Sequence, residues 1–142
     1  MNKLRSDWCA EAEIQVQFFD LYPMEVVLHG HYVKYLEMAR CALLDTIDYN
    51  YSQMRASGYA WPVIDMHLRY VDSARFGQRL KVRAEIVEWE NRLKIDYLIT
   101  DAASGRRLLR GSTTQVAVDM HTREMCFVSP AVLFQKLGIA PQ

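Results

Sequence analysis

The segment from residue 31 to about residue 48 constrains the fold more than any other part of the chain. Its apolar side chains recur at intervals of three and four residues, which is the period of an α-helix. The central apolar stripe consists of Tyr32, Leu36, Ala39, Leu43 and Ile47, and further apolar residues widen it. The opposite polar stripe is narrow and consists of Lys34, Glu37, Arg40, Asp45 and Asp48. A helix with so little polar surface must be buried on most sides, so the rest of the chain has to enclose it.

Apolar and polar residues alternate in most of the remaining segments, which is the pattern of half-buried strands. The first such run covers residues 13–18, before the helix. The later runs cover residues 64–70, 80–86, 93–99 and 108–119. A tight turn near Glu90 and Asn91 joins two of these runs and predicts an antiparallel hairpin.

Two shorter helices are predicted beside these strands. Residues 51–57 form a candidate helix that ends at Gly58. A terminal helix is predicted after Ser129, which is a good N-cap, with Pro130 at the first helical position. No linker, repeat or low-complexity tract interrupts the chain, so we expect one domain over residues 1–142 with its core in residues 11–138.

The order of these elements predicts the α+β class, because a run of strands follows one strand and one long helix. A single sheet has one apolar face, and one helix can cover that face. We therefore expect a hot-dog fold, in which an antiparallel sheet of about five strands wraps around the long central helix. Open sheet edges and a net charge near zero both favour self-association, so a homodimer or a homotetramer is expected.

The balance of charge excludes some classes of function. The chain has 17 Lys and Arg residues against 17 Asp and Glu residues, so bulk positive charge cannot drive binding to a nucleic acid. No apolar run approaches the ~20 residues that span a bilayer, and residues 1–17 lack the apolar core of a secretory signal. We therefore expect no membrane span and a cytoplasmic location, with Cys9, Cys41 and Cys126 reduced. The four histidines lack metal-binding spacing, so neither a metal nor a cofactor is expected.

Three stretches of the chain carry a family resemblance. They are FFDLYPMEVVLHGHY at residues 18–32, YVDSARFGQRL at residues 70–80 and VAVD at residues 116–119. In this order they resemble the landmarks of hot-dog acyl-CoA thioesterases, namely the 4-hydroxybenzoyl-CoA thioesterase group and the Tol–Pal-associated thioesterases. The resemblance covers residues 13–138. It implies hydrolysis of an acyl-CoA or acyl carrier protein thioester, with the substrate held between subunits.

The resemblance also implies candidate site residues, although the chain departs from the family's pattern. The position of the family's catalytic Asp holds Tyr22, the Gly three residues later is Glu25, and the Asn that opens the helix is His31. Asp20 matches the first Asp of the signature, and His29 matches a His of the Tol–Pal-associated group. In the family, backbone N–H groups at the start of the long helix hold the oxyanion that develops on the thioester carbonyl.

Tyr22 cannot simply take the role of an Asp, because a phenol with a pKa near ~10 is a poor base at neutral pH. Three nearby groups could replace the carboxylate: Glu25, His29 and Asp20. We favour Glu25 or His29 acting with Tyr22, which would donate a hydrogen bond to the thioester carbonyl or orient a water. The structural alternatives are a loop tie for Asp20 and a solvated charge for Glu25.

We also expect His31, Tyr32 and Arg75 to contact the substrate, although His31 could simply start the helix. Two other functions stay open at this point. One is a hot-dog dehydratase or another carrier-protein-linked enzyme of fatty-acid or polyketide synthesis, but its usual GHF-P-like motif is missing. The other is a non-catalytic thioester-binding protein that lost its base when Asp became Tyr.

Overall fold

The computed structural model describes residues 8–23, 26–27 and 29–139. Within these residues the α-helices are α1 (His31–Thr46), α2 (Tyr51–Ala56) and α3 (Ala131–Leu137), and a short 3-10 helix covers Phe18–Asp20. The strands are β1 (Cys9–Gln15), β2 (Tyr59–Ala60), β3 (Val63–Tyr70), β4 (Arg79–Glu88), β5 (Leu93–Asp101), β6 (Arg107–Gln115) and β7 (Val118–Asp119). None of the helices in the described ranges has the length and apolarity to cross a membrane.

Five strands form one antiparallel sheet in the order β1–β4–β5–β6–β3. The predicted hairpin lies at its centre, where β4 pairs with β5 from Leu80 opposite Asp101 to Glu88 opposite Lys94. Although β4 follows β3 in sequence, β3 pairs instead with β6 at the far edge. A separate ribbon joins β2 and β7. The main sheet therefore has two edge strands, β1 and β3.

Helix α1 packs against the apolar face of this sheet, with β1 and β4 as its main neighbours. Its central stripe is sealed from solvent, since Leu36 is 1% exposed and Leu43 is 0% exposed. The sheet residues that face α1 are equally buried, and they include Leu80, Val82, Ala84, Ile95 and Ile99. The predicted α+β hot-dog architecture, a five-stranded antiparallel sheet around one long helix, is confirmed.

Gly111 on β6 allows close approach within this core. A Cβ atom at this position would lie 2.9 Å from the carbonyl oxygen of His67 on β3 and 3.6 Å from a methyl carbon of Leu36 on α1. Only a residue without a side chain lets the edge strand and the helix pack this closely on β6.

The first strand lies earlier than the predicted run of residues 13–18. It occupies Cys9–Gln15, because the chain then turns into the 3-10 helix Phe18–Asp20. The Gln17 N–H donates to the Asp20 carboxylate (3.1 Å) and closes this turn. As a result Phe18, which the alternation assigned to the buried face, is 73% exposed.

Other boundaries differ from the prediction for local reasons. The run of residues 108–119 divides into β6 and β7, because β7 leaves the main sheet to pair with β2. Helix α1 ends at Thr46, and Asp48 takes a positive φ of 54°. At α3, Pro130 is the N-cap with extended backbone rather than the first helical residue. Arg40, predicted on the polar stripe of α1, has a side chain that is only 17% exposed.

We predict that Leu43→Ala lowers the free energy of unfolding by about 2–5 kcal/mol, because it leaves a cavity between α1 and the sheet. Leu43→Asp should yield no folded protein, since it would bury an unpaired charge. Urea denaturation measures the first effect, and soluble expression reports the second. Met38→Ala is the matched control, because Met38 lies on the same helix with 48% of its side chain exposed. Normal folding of Leu43→Asp would contradict the buried-helix arrangement.

Candidate active site

A cleft of about 390 Å³ opens where the N-terminal end of α1 meets the end of β3. Its lining includes Tyr22 and His29 from the loop before α1, Tyr32 from the first turn of α1, and Tyr70 at the end of β3. The loop folds back on itself, because the Tyr22 N–H donates to the carbonyl oxygen of Val26 (2.8 Å). Tyr22 is 37% exposed and Tyr70 is 46% exposed, so the cleft is open on one side.

Tyr22 and His29 form a hydrogen-bonded pair in this cleft. The phenol oxygen of Tyr22 lies 2.8 Å from Nδ1 of His29. A phenol both donates and accepts, and a neutral imidazole carries one donor and one acceptor, so the pair can hold its protons in two ways. With the imidazole proton on Nδ1, His29 donates to Tyr22, and Nε2 keeps a lone pair. The Tyr22 O–H is then free to donate to another group, so the pair offers a base and a donor side by side.

Two further tyrosines hold the cleft in shape. The Tyr70 O–H donates to the carbonyl oxygen of His29 (3.1 Å), and its ring contacts the rings of His29 and Tyr32. The Tyr32 ring is buried, and its phenol oxygen accepts from the Ala74 N–H (2.9 Å). Burial raises the pKa of Tyr32 above its ordinary value despite this bond. Tyr32 is therefore a neutral group that ties α1 to the turn after β3.

The first turn of α1 supplies backbone donors beside the Tyr22–His29 pair. Gly30 is its N-cap, and among the described residues no side chain caps this helix end. The Tyr32 N–H makes a long bond to the carbonyl oxygen of His29 (3.3 Å). Uncapped N–H groups and the positive end of the helix dipole favour an oxygen that gains negative charge. The start of α1 can therefore hold an oxyanion.

Asp20 does not line this cleft. It is 1% exposed, and its carboxylate accepts from Lys34 Nζ (2.6 Å), the Tyr35 O–H (2.8 Å) and the Gln17 N–H (3.1 Å). Burial alone would raise the pKa of Asp20, but the bonds from Lys34, Tyr35 and Gln17 outweigh it and hold this pKa below its usual value. The carboxylate therefore ties the 3-10 helix to α1.

The other sequence-predicted residues lie in different places. Glu25 falls outside the described residues. His31 is half-buried at the start of α1, with Nδ1 3.7 Å from the Asp20 carboxylate. Arg75 is exposed and lines a neighbouring cleft of about 690 Å³. That cleft shares Asp72 and Ser73 with the cleft of the Tyr22–His29 pair, so the two are adjacent.

Sequence reasoning missed Tyr70 and Asp72 as site residues. Both stand in the landmark at residues 70–80, which was noted only as a strand end and a turn. In the structure Asp72 Oδ2 lies 2.6 Å from Arg106 Nη2. Within the ranges that the structure describes, no three His, Cys, Asp or Glu side chains are grouped so that they could hold a metal ion.

Comparison with protein families gives one match over most of the chain. The model of the Thioesterase-like superfamily matches residues 16–135. YneP of Bacillus subtilis, which carries a provisional name as an acyl-CoA thioesterase, is 25% identical over 111 residues, covering 78% of this chain and 80% of YneP. The Synechocystis protein sll0410, provisionally named an esterase, is 32% identical over 95 residues, covering 66% of this chain and 57% of that protein.

Solved structures of the same fold match nearly the full length of the chain. Slr0204 of Synechocystis, a 1,4-dihydroxy-2-naphthoyl-CoA thioesterase, superposes with a TM-score of 0.81 at 22% identity. The match covers 92% of this chain and 96% of Slr0204. At this level of identity the likeness shows a shared fold.

We predict that Asp20→Asn destabilises the protein by about 1–3 kcal/mol at neutral pH, because Lys34 and Tyr35 lose their charged acceptor. The folded-state pKa lies below the ordinary value of 3.8. The stabilisation is therefore fully present above that value and is lost as the pH falls through the lower pKa of the folded state. The difference in free energy of unfolding between wild type and Asp20→Asn, measured in urea, should shrink as the pH is lowered through and below 3.8.

Glu11→Gln is the control for this prediction, because Glu11 is an exposed carboxylate on β1. Its effect should be small at every pH. A difference between wild type and Asp20→Asn that stays constant under acid would contradict the ionic role of Asp20.

Proposed function

Because the chain belongs to the Thioesterase-like superfamily, whose model matches residues 16–135, we propose that it hydrolyses an acyl-CoA thioester in the cleft of Tyr22 and His29. The general reaction, hydrolysis of an acyl thioester to a free acid and a thiol, agrees with the names of its relatives. Beyond this general reaction, we propose that CoA carries the acyl group, that the thioester binds in this cleft and that Tyr22 and His29 act on it. The observation that carries them is the 2.8 Å contact between Tyr22 and His29 beside the uncapped start of α1.

The thioester carbonyl oxygen is placed toward the first turn of α1. When water attacks the carbonyl carbon, this oxygen becomes an oxyanion. Backbone N–H groups at the helix start would then donate to it, and one well-aimed donor typically lowers the barrier by about 3–4 kcal/mol. The first helical turn suits this task because its donors have no side-chain cap among the described residues.

His29 is proposed as the general base that takes a proton from the attacking water. Its Nδ1 faces Tyr22, which leaves Nε2 for the water. The proton accepted at Nε2 later passes to the thiolate of the leaving group, so the imidazole ends each cycle neutral. Glu25, which lies outside the described residues, is the second candidate for this role.

Tyr22 is proposed to donate its O–H to the thioester carbonyl or to the attacking water. It occupies the place that the catalytic Asp holds in the 4-hydroxybenzoyl-CoA and Tol–Pal-associated thioesterases, which this segment resembles. The 2.8 Å contact with His29 supports a joint role for the two side chains. In this proposal the family's carboxylate has been replaced by a phenol and imidazole pair.

The neighbouring cleft supports CoA as the carrier of the acyl group. Arg75 and Arg106 line it, and both arginines are exposed cations. Arg106 already pairs with Asp72, whereas the Arg75 backbone, rather than its guanidinium, bonds to Gln78. Arginine is well suited to bind phosphate, because its planar fork matches two phosphate oxygens. We therefore place the phosphates of CoA at Arg75, next to the cleft that receives the thioester.

A homodimer is proposed on the basis of the exposed edge strand β3. Ile64 is 57% exposed and Tyr70 is 46% exposed, and no other strand in the described part of the chain pairs with the outer edge of β3, so this edge is open and carries apolar side chains. Such an edge is a liability unless it is paired, and two-fold assembly is the usual solution. A partner at β3 would also cover the open side of the cleft, where Tyr70 lies.

The catalytic roles predict a specific pattern in a panel of variants. His29→Ala should lower kcat by about 10²–10⁴-fold, because a general base is removed. Tyr22→Phe should cost less, since only a hydrogen bond is lost, and Tyr22→Asp should raise activity on acyl-CoA by restoring the family's carboxylate. Initial rates of thiol release from one accepted acyl-CoA measure all of these effects.

His121→Ala is the matched control, because His121 is an exposed histidine in the turn after β7 and lines neither of the two clefts. It should leave the rate unchanged. Glu25→Gln tests the second base candidate in the same assay. Wild-type rates in both His29→Ala and Glu25→Gln would exclude this mechanism. CoA binding by a wild-type protein that hydrolyses no CoA or carrier-protein thioester would instead favour a binding protein.

If the protein is a homodimer, sedimentation velocity at micromolar concentration should give a mass of at least twice that of the 16.6 kDa protomer. Ile64→Lys should shift the protein toward the monomer, because it places a charge on the proposed interface. Gln15→Lys, which adds the same single charge at an exposed position on the opposite edge strand β1, is the control. A wild-type protein that sediments only as a monomer would refute the assembly.

A further inference from the structure

The edge strand β3 carries a row of exposed charged or titratable side chains. Asp65, His67 and Arg69 occupy alternate positions, so all three lie on one face of the strand. His67 Nε2 pairs with the Asp65 carboxylate (3.1 Å). Arg69 instead lies opposite Arg110 of β6 and has no ion-pair partner in the described part of the chain. Like charges directly opposite each other destabilise a sheet, so Arg69 would gain from an acidic partner beyond the edge of β3.

The other face of β3 is apolar over residues 64–70. The side chains at the alternate positions are those of Ile64, Met66, Leu68 and Tyr70. A Cβ atom at Gly111 would lie 3.0 Å from the Leu68 side chain and 3.6 Å from Leu36 of α1, so this face points toward the helix. The outer edge of β3 therefore offers one charged face and one apolar face to a strand that pairs with it.

A second copy of this chain fits the edge, because β3 can pair with itself in an antiparallel two-fold arrangement. If the axis passes beside one residue, the residues before it lie opposite the residues after it in the partner. The two charged faces then adjoin, and so do the two apolar faces. An axis between two residues would set apolar side chains opposite charged ones, because a shift by one residue exchanges the faces of a strand.

The charges select one of the registers that keep the faces together. An axis at His67 sets Asp65 opposite Arg69 of the partner subunit, and Arg69 opposite the partner's Asp65. An axis at Asp65 or at Arg69 would set a charge opposite its own copy. With the axis at Met66 or at Leu68, neither Asp–Arg pair forms. Because opposite charges directly across a strand pair stabilise it, the register centred on His67 is favoured.

We infer that two copies of the chain join through β3 in this register, with His67 on the two-fold axis. On each side of the axis, Asp65 forms an ion pair with Arg69 of the partner subunit. This inference rests on the homodimer in the proposed function and specifies which residues meet in it. It also gives Arg69 the counter-charge that Arg110, its neighbour within the chain, cannot supply.

The same register brings a residue of the partner to the cleft of Tyr22 and His29. Tyr70 lines that cleft at the end of β3 and is 46% exposed. Opposite it, on the face toward α1, lies Ile64 of the partner subunit, and Cβ atoms in such a pair are about 4.5–5.5 Å apart. The partner's Ile64 covers the exposed side of the Tyr70 ring, so the open side of the cleft gains an apolar wall.

Charge reversal tests the register. Asp65→Arg sets arginines opposite each other and Arg69→Asp sets aspartates opposite each other, so each change should raise the Kd of the dimer by about 10-fold or more. The double variant Asp65→Arg/Arg69→Asp restores both ion pairs with exchanged polarity and should return the Kd to near the wild-type value. Sedimentation velocity at low ionic strength measures the Kd.

Glu13→Arg is the control, because it reverses an exposed charge on the opposite edge strand β1 and breaks the pair of Glu13 with Arg79 (3.1 Å). Its Kd should match that of the wild type. A double variant of Asp65 and Arg69 that dimerises no better than either single variant would overturn the register.

Cross-linking locates the axis without changing either charge of the ion pair. In this register His67→Cys places two thiols opposite each other, with Cα atoms about 4.5–5.5 Å apart, which a disulfide can span. Mild oxidation should therefore give a covalent dimer on a non-reducing gel. Arg69→Cys is the matched control, since its two copies would lie four residues apart along the strands, about 13 Å. The wild type, with its three cysteines, controls for other disulfides. Failure of His67→Cys to cross-link, or equal cross-linking of Arg69→Cys, would overturn the inference.

Neither measurement uses a substrate, so failure of this interface is distinct from failure of the proposed function. Cross-linking of His67→Cys in a protein that hydrolyses no thioester would support the interface and refute only the reaction. If the wild type hydrolyses an acyl-CoA, the monomeric Arg69→Asp variant should lose kcat/KM several-fold, and the double reversal should recover it. A monomeric Arg69→Asp variant with the wild-type kcat/KM would contradict the role of the partner's Ile64 in the cleft.

Discussion

The burial of α1 is the constraint on which the rest of the structure depends. Leu36 and Leu43 are shielded from solvent by a single five-stranded sheet, which can cover one long helix but cannot close around its ends. The N-terminal end of the helix therefore meets the end of β3 without a side-chain cap among the described residues, and the cleft of Tyr22 and His29 lies there. The other half of the helix meets the small helix α2 and the β2–β7 ribbon, and a half-open cavity of about 620 Å³ lies between them.

Tyr32 connects the buried core to the cleft of Tyr22 and His29. Its ring is 2% exposed and packs on Tyr35 and Tyr70, while its phenol oxygen accepts from the Ala74 N–H (2.9 Å). Tyr70, the last residue of β3 before this turn, donates its O–H to the carbonyl oxygen of His29 (3.1 Å). A displacement of α1 relative to the sheet would therefore also displace His29. The buried packing of α1 thus fixes the position of the exposed Tyr22–His29 pair, which makes few contacts of its own.

The sequence predicted the parts of the fold that periodicity reports directly. Helix α1, the β4–β5 hairpin and the α+β class follow from local spacing of apolar residues. The surroundings of Asp20 could not be found in this way. Its position two residues before Tyr22 made Asp20 a candidate base, but the 3-10 turn directs its carboxylate inward to Lys34 and Tyr35, which are distant in sequence. The cavity between α1, α2 and the β2–β7 ribbon gives no periodic signal either, because its lining comes from four separate stretches of the chain, and the burial of Arg40 depends on their packing.

A phenol and imidazole pair has an electrostatic consequence that a carboxylate would not have. A carboxylate base beside the start of α1 would be attracted to the same N–H groups that must hold the oxyanion. Tyr22 and His29 are neutral partners when the imidazole is unprotonated, so in the proposed reaction these donors stay free until the carbonyl oxygen becomes negative. Proton transfer to His29 creates a positive charge at the same moment. The two opposite charges then appear together, next to a helix end and a set of tyrosines that are already in place, and each stabilises the other.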